Sequence, residues 1–137
     1  MNRRRGFTFT ELLVVMALIG ALSAMGVPRF REFKRRASIA AMQSDLGNLK
    51  IAQESYWSEN QVYATDTTHL ELRITNQVAI SISSKNVIGG YTAVAKHANV
   101  PGQQCQTAMG AEAAPREQGA IICGPSSGGS SAIPSAP

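Results

Sequence analysis

A chain of 137 residues, 44% hydrophobic, 6% aromatic and with a formal charge of +4, is long enough for one small domain beside an apolar segment and no more. The positive balance does not indicate a nucleic-acid partner, because it sits in two clusters that flank one apolar run: Arg3, Arg4 and Arg5 before it, and Arg29, Arg31, Lys34, Arg35 and Arg36 after it. From Ala37 onward five Lys/Arg stand against seven Asp/Glu, a mildly acidic remainder that lacks the clustered cations phosphate binding requires.

Residues 1–6 are short, basic and polar, and read as an address segment. From Phe7 to Val27 the only charged side chain is Glu11, in a run of about the ~20 residues a helix needs to cross a bilayer. An ionisable group near the bilayer centre costs at least about 2.5 kcal/mol, and less near an end, so Glu11 is the first functional candidate. A secretory signal ends in a small-residue cleavage site, and Ala21-Leu22-Ser23-Ala24 could serve as one. Glu11 inside the apolar core and the unbroken helical pattern beyond it argue against that alternative.

Gly20 and Gly26 lower helix propensity and Pro28 removes a backbone donor, so a kink or loosened turn is expected between Gly20 and Pro28. Beyond it, Ile39, Met42, Leu46, Leu49, Ala52 and Tyr56 recur at spacings of three and four, while Gln43, Asp45, Asn48, Lys50, Glu54 and Ser58 form the polar face. A helix from Phe7 to about Ser58 would be about 75 to 80 Å long. A head of roughly 100 residues cannot bury such a helix, so its first half must enter lipid or pack against copies of itself.

Residues 59–68 read as a connecting loop, and Leu70, Leu72 and Ile74 alternate with charged residues as in a short strand. Val78, Ile80 and Ile82 form a better strand, Lys85 to Gly90 a turn, Tyr91 to Lys96 the return strand, Val100-Pro101-Gly102 a second turn, and Gln118 to Cys123 a last strand. From Ser126 the chain is a low-complexity Ser/Gly/Pro/Ala tail. The fold class is therefore α+β: a long N-terminal helical spine whose C-terminal half packs on a three- to four-stranded antiparallel sheet, with Val78, Ile80, Ile82, Tyr91 and Val94 expected to cover the helical stripe. The expected divisions are 1–6, 7–28, 29–58, 59–125 and 126–137.

Cys105 and Cys123 are an even pair in a chain with a membrane-directing start, which favours one disulfide over two separate buried thiols. His69 and His97 stand alone in sequence and are expected at the surface. No residue set implies a metal or cofactor, and no nucleophile-base pair supports an enzyme.

Gly6-Phe7-Thr8-Phe9-Thr10-Glu11-Leu12-Leu13 resembles the class III signal of type IV pilins and of the pseudopilins of type II secretion. The resemblance is strong from Arg3 to about Pro28 and is one of architecture beyond. Phe9 and Thr10 stand where the family usually has aliphatics. It implies that a prepilin peptidase cuts after Gly6 and methylates the new amine of Phe7. It also implies that Glu11 meets the Phe7 amine of a neighbouring subunit during assembly, and that Gly20, Gly26 and Pro28 mark the part of the helix that kinks or melts. A type IVa pilin is the nearest match. The precursor would sit in the inner membrane and pass through pilus assembly machinery into a surface homo-polymer. The alternatives are a pseudopilin, whose major forms usually carry a calcium-binding loop and no disulfide, and a minor pilin acting in adhesion or DNA uptake.

Overall fold

The computed structural model describes residues 7–126; the expected leader and the tail from residue 127 lie outside the described residues. By contacts the chain divides into two units, Met1–Arg35 and Arg36–Pro137. The secondary structure is one helix, α1 (Phe9–Asn60), followed by strands β1 (Val78–Ser83), β2 (Gly90–His97), β3 (Gln103–Gly110) and β4 (Ile122–Pro125).

Helix α1 starts two residues later than the apolar pattern because Thr8 is its N-cap. The Thr8 hydroxyl accepts from Glu11 N at 3.3 Å, and the Glu11 carboxylate accepts from Thr8 N at 2.8 Å, so the two residues form a reciprocal capping box. Helical backbone continues through Gly20, Gly26 and Pro28. The helix ends where Gln61 turns left-handed, with φ of 58°, and donates its backbone N–H to the carbonyl of Trp57 at 2.8 Å.

The four strands form an antiparallel meander in the order β1-β2-β3-β4. Met42, Leu46 and Leu49 of α1 are buried with Tyr91, Ala93, Ala95 and Cys105 of the sheet, and Ile39, Ala52 and Tyr56 extend the stripe as half-buried residues. Period-2 geometry corrects one expected contact. Val94 lies three residues from Tyr91, so the two side chains point to opposite sheet faces, and Ala93 and Ala95 complete the inner face instead.

Of the three buried polar residues of α1, Ser38, Asp45 and Gln53, the last two bind other parts of the domain. Asp45, expected on the polar face, is buried and accepts from both Thr75 N at 2.8 Å and Thr75 Oγ1 at 2.9 Å. Gln53 is fully buried; its amide donates to Ala64 O and accepts from Ala64 N, both at 2.9 Å. Gln53→Leu keeps the volume but orphans both Ala64 groups, and urea denaturation of the detergent-solubilised protein should show a loss of about 2 kcal/mol.

The strands differ from expectation in three places. Strand β3 falls in a stretch for which the sequence predicts no element, because Gln103, Gln104 and Gln106 obscure its inward alternation of Cys105, Thr107 and Met109. Residues 70–74 form no strand, and Leu72 N bonds back to Leu70 O at 2.8 Å in a tight turn around Glu71; Leu70 is buried and Leu72 and Ile74 half-buried, so contact with the domain, not strand pairing, explains their alternation. The last strand is Ile122–Pro125, and Gln118 before it pairs with Gly110 through its side chain, donating to Gly110 O and accepting from Gly110 N at 2.9 Å each. Gly110 (φ of 69°) stands opposite Gly90, and a Cβ at Gly110 would lie 2.0 Å from the carbonyl oxygen of Gly89, so this end of β2 and β3 admits no side chain.

Candidate functional site

The N-terminal end of α1 gathers the residues singled out in the sequence. Phe7 is 87% exposed, and the apolar side chains Phe9, Leu12, Leu13, Met16, Leu18 and Leu22 that follow it are exposed as well. A solvent-facing surface of this kind needs a lipid or protein covering. The helix is long and apolar enough to cross a bilayer.

Glu11 is not an isolated charge on this surface. Its Oε2 accepts from both the backbone N–H and the hydroxyl of Thr8, each at 2.8 Å, while Oε1 takes part in neither bond. The capping box thus satisfies donors that the helix start would leave bare in hydrocarbon, and leaves one carboxylate oxygen for a further cation. The Thr8-x-x-Glu11 spacing was present in the sequence as the usual capping signature, although the apolar run drew attention to the charge alone. Gly6, the other half of the expected cleavage site, lies outside the described residues.

Around residues 29–36, Arg35 makes a bidentate pair with Glu32 at 2.9 and 3.0 Å, and the Lys34 ammonium lies 5.5 Å from the centre of the Phe30 ring. These pairings use part of the basic cluster within the helix itself.

Cys105 and Cys123 are joined by a disulfide and stand directly opposite each other across β3 and β4. The segment between them is held further by Lys50, whose ammonium donates to Gly119 O at 2.6 Å, and by Glu112, which accepts from Lys85 N at 2.9 Å.

The histidines divide. His69 is exposed, 3.7 Å from Asp66 and near the Tyr56 ring, whereas His97, expected at the surface, is buried. Its Nδ1 accepts from Asn99 N at 3.1 Å, so a turn after β2, not solvent, occupies that nitrogen. Hydrogen bonds from the Thr68 hydroxyl and backbone N–H hold the Asp66 carboxyl below its usual range. Burial, followed by the nearby charge of Glu54, raises the Tyr63 phenol, and Tyr63 leans on Tyr91 at a centroid distance of 5.1 Å. Among the described residues no three His, Cys, Asp or Glu converge as a metal set.

Residues 1–27 match the family model described as the prokaryotic N-terminal methylation motif. The chain is similar to the type IV major pilin protein PilA of Myxococcus xanthus, with 40% identity over 62 residues, covering 45% of this chain and 28% of the relative. A fimbrial protein of Pseudomonas aeruginosa is 32% identical over 68 residues, covering 50% of this chain and 44% of the relative. The type II secretion system core protein G of Klebsiella pneumoniae is 32% identical over 91 residues, 66% of this chain and 65% of the relative. The match thus spans less than half the length of each of the first two relatives.

Proposed function

We propose that this chain, which carries the class III prepilin signal of the type IV pilin and pseudopilin family, is a structural pilin that polymerises through α1 into a type IV filament. The observation that carries this function is the juxtaposition of Gly6-Phe7, a matched methylation motif, and a capped glutamate at the head of the exposed apolar first half of α1. A prepilin peptidase cuts after Gly6 and methylates the Phe7 amine. The apolar half of α1 first resides in the inner membrane and then exchanges lipid for the same helix of other copies. Machinery at the inner membrane drives that transfer, and the product is a cell-surface filament.

The Phe7 amine exists only after cleavage. An unpaired ion in an apolar filament core is strongly unfavourable, so the amine of one subunit meets the Glu11 carboxylate of a neighbour and fixes axial register. Oε1 is the oxygen left for it by the capping box. Gly20, Gly26 and Pro28 weaken the helix within this segment and are where it loosens as subunits pack.

Mass spectrometry of the exported protein provides the test. The expected mass begins at Phe7 and carries one added methyl group; a mature chain beginning at Met1, or after Ala24, would defeat the proposal. The similarity to the secretion core protein G favours a second function, a pseudopilin of a secretion piston. Filaments sheared from the cell surface that contain this chain support the pilin, whereas loss of protein secretion on its deletion, without surface filaments, supports the pseudopilin.

A further inference from the structure

We infer that residues 29–34 form a site for anionic phospholipid headgroups, in which Arg29, Arg31 and Lys34 hold the phosphates while Phe30 and Phe33 set the depth of the site in the bilayer. It rests on the membrane stage of the function above, because the apolar half of α1 must first lie in lipid.

The depth follows from helix length. Helix α1 runs without a break from Phe9 into this segment. Phe9 to Phe30 is about 32 Å at 1.5 Å per residue, and the hydrocarbon core of a bilayer is about 30 Å thick. With the head of the helix at one boundary, Phe30 and Phe33 therefore arrive at the other. The two rings are 60% and 70% exposed, so the chain itself does not cover them. Sinking them into the boundary between acyl chains and headgroups removes both from water.

The distribution of charge around the helix follows the same plan. At about 100° per residue, Arg29, Phe33, Phe30, Lys34 and Arg31 succeed one another around roughly 200° of its surface. All five are exposed. Glu32, the acidic residue of the segment, lies on the remaining arc, where Arg35 holds it in a bidentate pair at 2.9 and 3.0 Å. Arg29, Arg31 and Lys34 form no ion pair among the described residues. The Lys34 ammonium, 5.5 Å from the Phe30 ring centre, stays beside the aromatic pair. One face thus presents two rings between cations, with its acid turned aside and neutralised.

Charge identifies the occupant. Lys and Arg that orient a membrane helix belong on its cytoplasmic side, and Arg3, Arg4 and Arg5 already stand there. Arg29, Arg31 and Lys34 lie at the opposite end of the apolar run, so orientation does not account for them. At the headgroup level a zwitterionic lipid brings a cation with every phosphate, whereas an anionic lipid brings a net negative charge. The guanidinium fork and the ammonium both suit phosphate oxygens. Withdrawal of a subunit from the membrane then breaks these contacts.

The experiment places the full chain, purified from cell membranes, in vesicles of phosphatidylcholine mixed with phosphatidylglycerol. Electron spin resonance of spin-labelled lipids reads how strongly each headgroup is held at the protein surface. The wild type is expected to prefer the phosphatidylglycerol label by about fivefold or more, and to lose most of that preference at high salt. Arg29→Gln, Arg31→Gln and Lys34→Gln together should abolish it. Lys85→Gln with Lys96→Gln, which removes charge from the head, should leave it intact. Equal retention of the two labels by the wild type, or an undiminished preference in the triple variant, would overturn the site. So would a triple variant with normal lipid preference that loses its filaments, since these cations would then serve contacts between subunits.

Depth is read separately, with Phe30→Trp in a Trp57→Phe background. Its emission should be quenched by lipids brominated high on the acyl chains and shielded from aqueous iodide; the reverse pattern overturns the site even if the triple variant fails to insert. Lipid preference without surface filaments counts against the filament function alone, and filaments without lipid preference count against this site alone.

Discussion

Glu11→Ala is expected to leave the protein membrane-bound and cut after Gly6, yet to lower the yield of sheared filaments by about a hundredfold or more. Removing one partner of a desolvated ion pair costs about 3 to 5 kcal/mol, and each 1.4 kcal/mol is about tenfold in an equilibrium. The substitution also removes the capping box, so its effect has two sources. Thr8→Ala separates them: it loses the cap, worth about 1 kcal/mol, but keeps the carboxylate. Filament counts from sheared fractions should therefore fall far more for Glu11→Ala than for Thr8→Ala, with the membrane-bound, processed pool intact in both. Normal filaments from Glu11→Ala would remove the charge pair from the assembly mechanism, whereas equal defects in the two variants would show that the cap, not the charge, is what assembly needs.

The second large effect is expected from replacing both Cys105 and Cys123 by Ala. The disulfide closes a sequence separation of 18 residues, and a loop of that size contributes about 3 kcal/mol in the chain-entropy model. For a domain of this size that lowers the melting temperature by about 12 °C or more. Alanine suits Cys105 better than serine, because that position is fully buried and a hydroxyl there would need a partner. The loss should be uneven. Strand β4 has four residues, lies at the sheet edge and pairs only with β3, so its amides should exchange earlier than those of β2. Calorimetry reads the first effect and amide exchange the second; an unchanged melting temperature would show that strand pairing alone holds β4.

The long helix, the three- and four-residue spacing of its core stripe and the first hairpin were legible because each repeats one period over several turns or residues. Strand β3 was not, because its outward glutamines and inward cysteine and threonine carry little hydrophobic contrast. Residues 70–74 show the opposite problem: they alternate as a strand does, yet the alternation records packing on one side and says nothing about a ladder. Asp45 was misplaced for a related reason. Burial of a carboxylate depends on a partner thirty residues away, Thr75, which periodicity along the helix does not reveal. At the candidate site the reverse held for Thr8 and Glu11, whose whole geometry is local and whose spacing was visible all along.

Gln53, Lys50 and Asp45 bind the rest of the domain in a common way: their targets include the N–H and C=O of Ala64, the C=O of Gly119 and the N–H of Thr75. Every amino acid offers a carbonyl, and all but proline offer an N–H, so apart from the bond of the Thr75 hydroxyl to Asp45 these grips recognise where the chain runs and not which side chains it carries. The helix can thus stay constant while the outward-facing residues of the loops drift. Sequence divergence concentrated in those loops then costs the framework little. The same property makes the loops suitable places to graft foreign peptides, provided that Ala64 is not replaced by proline and Gly119 keeps its left-handed turn, with φ of 67°.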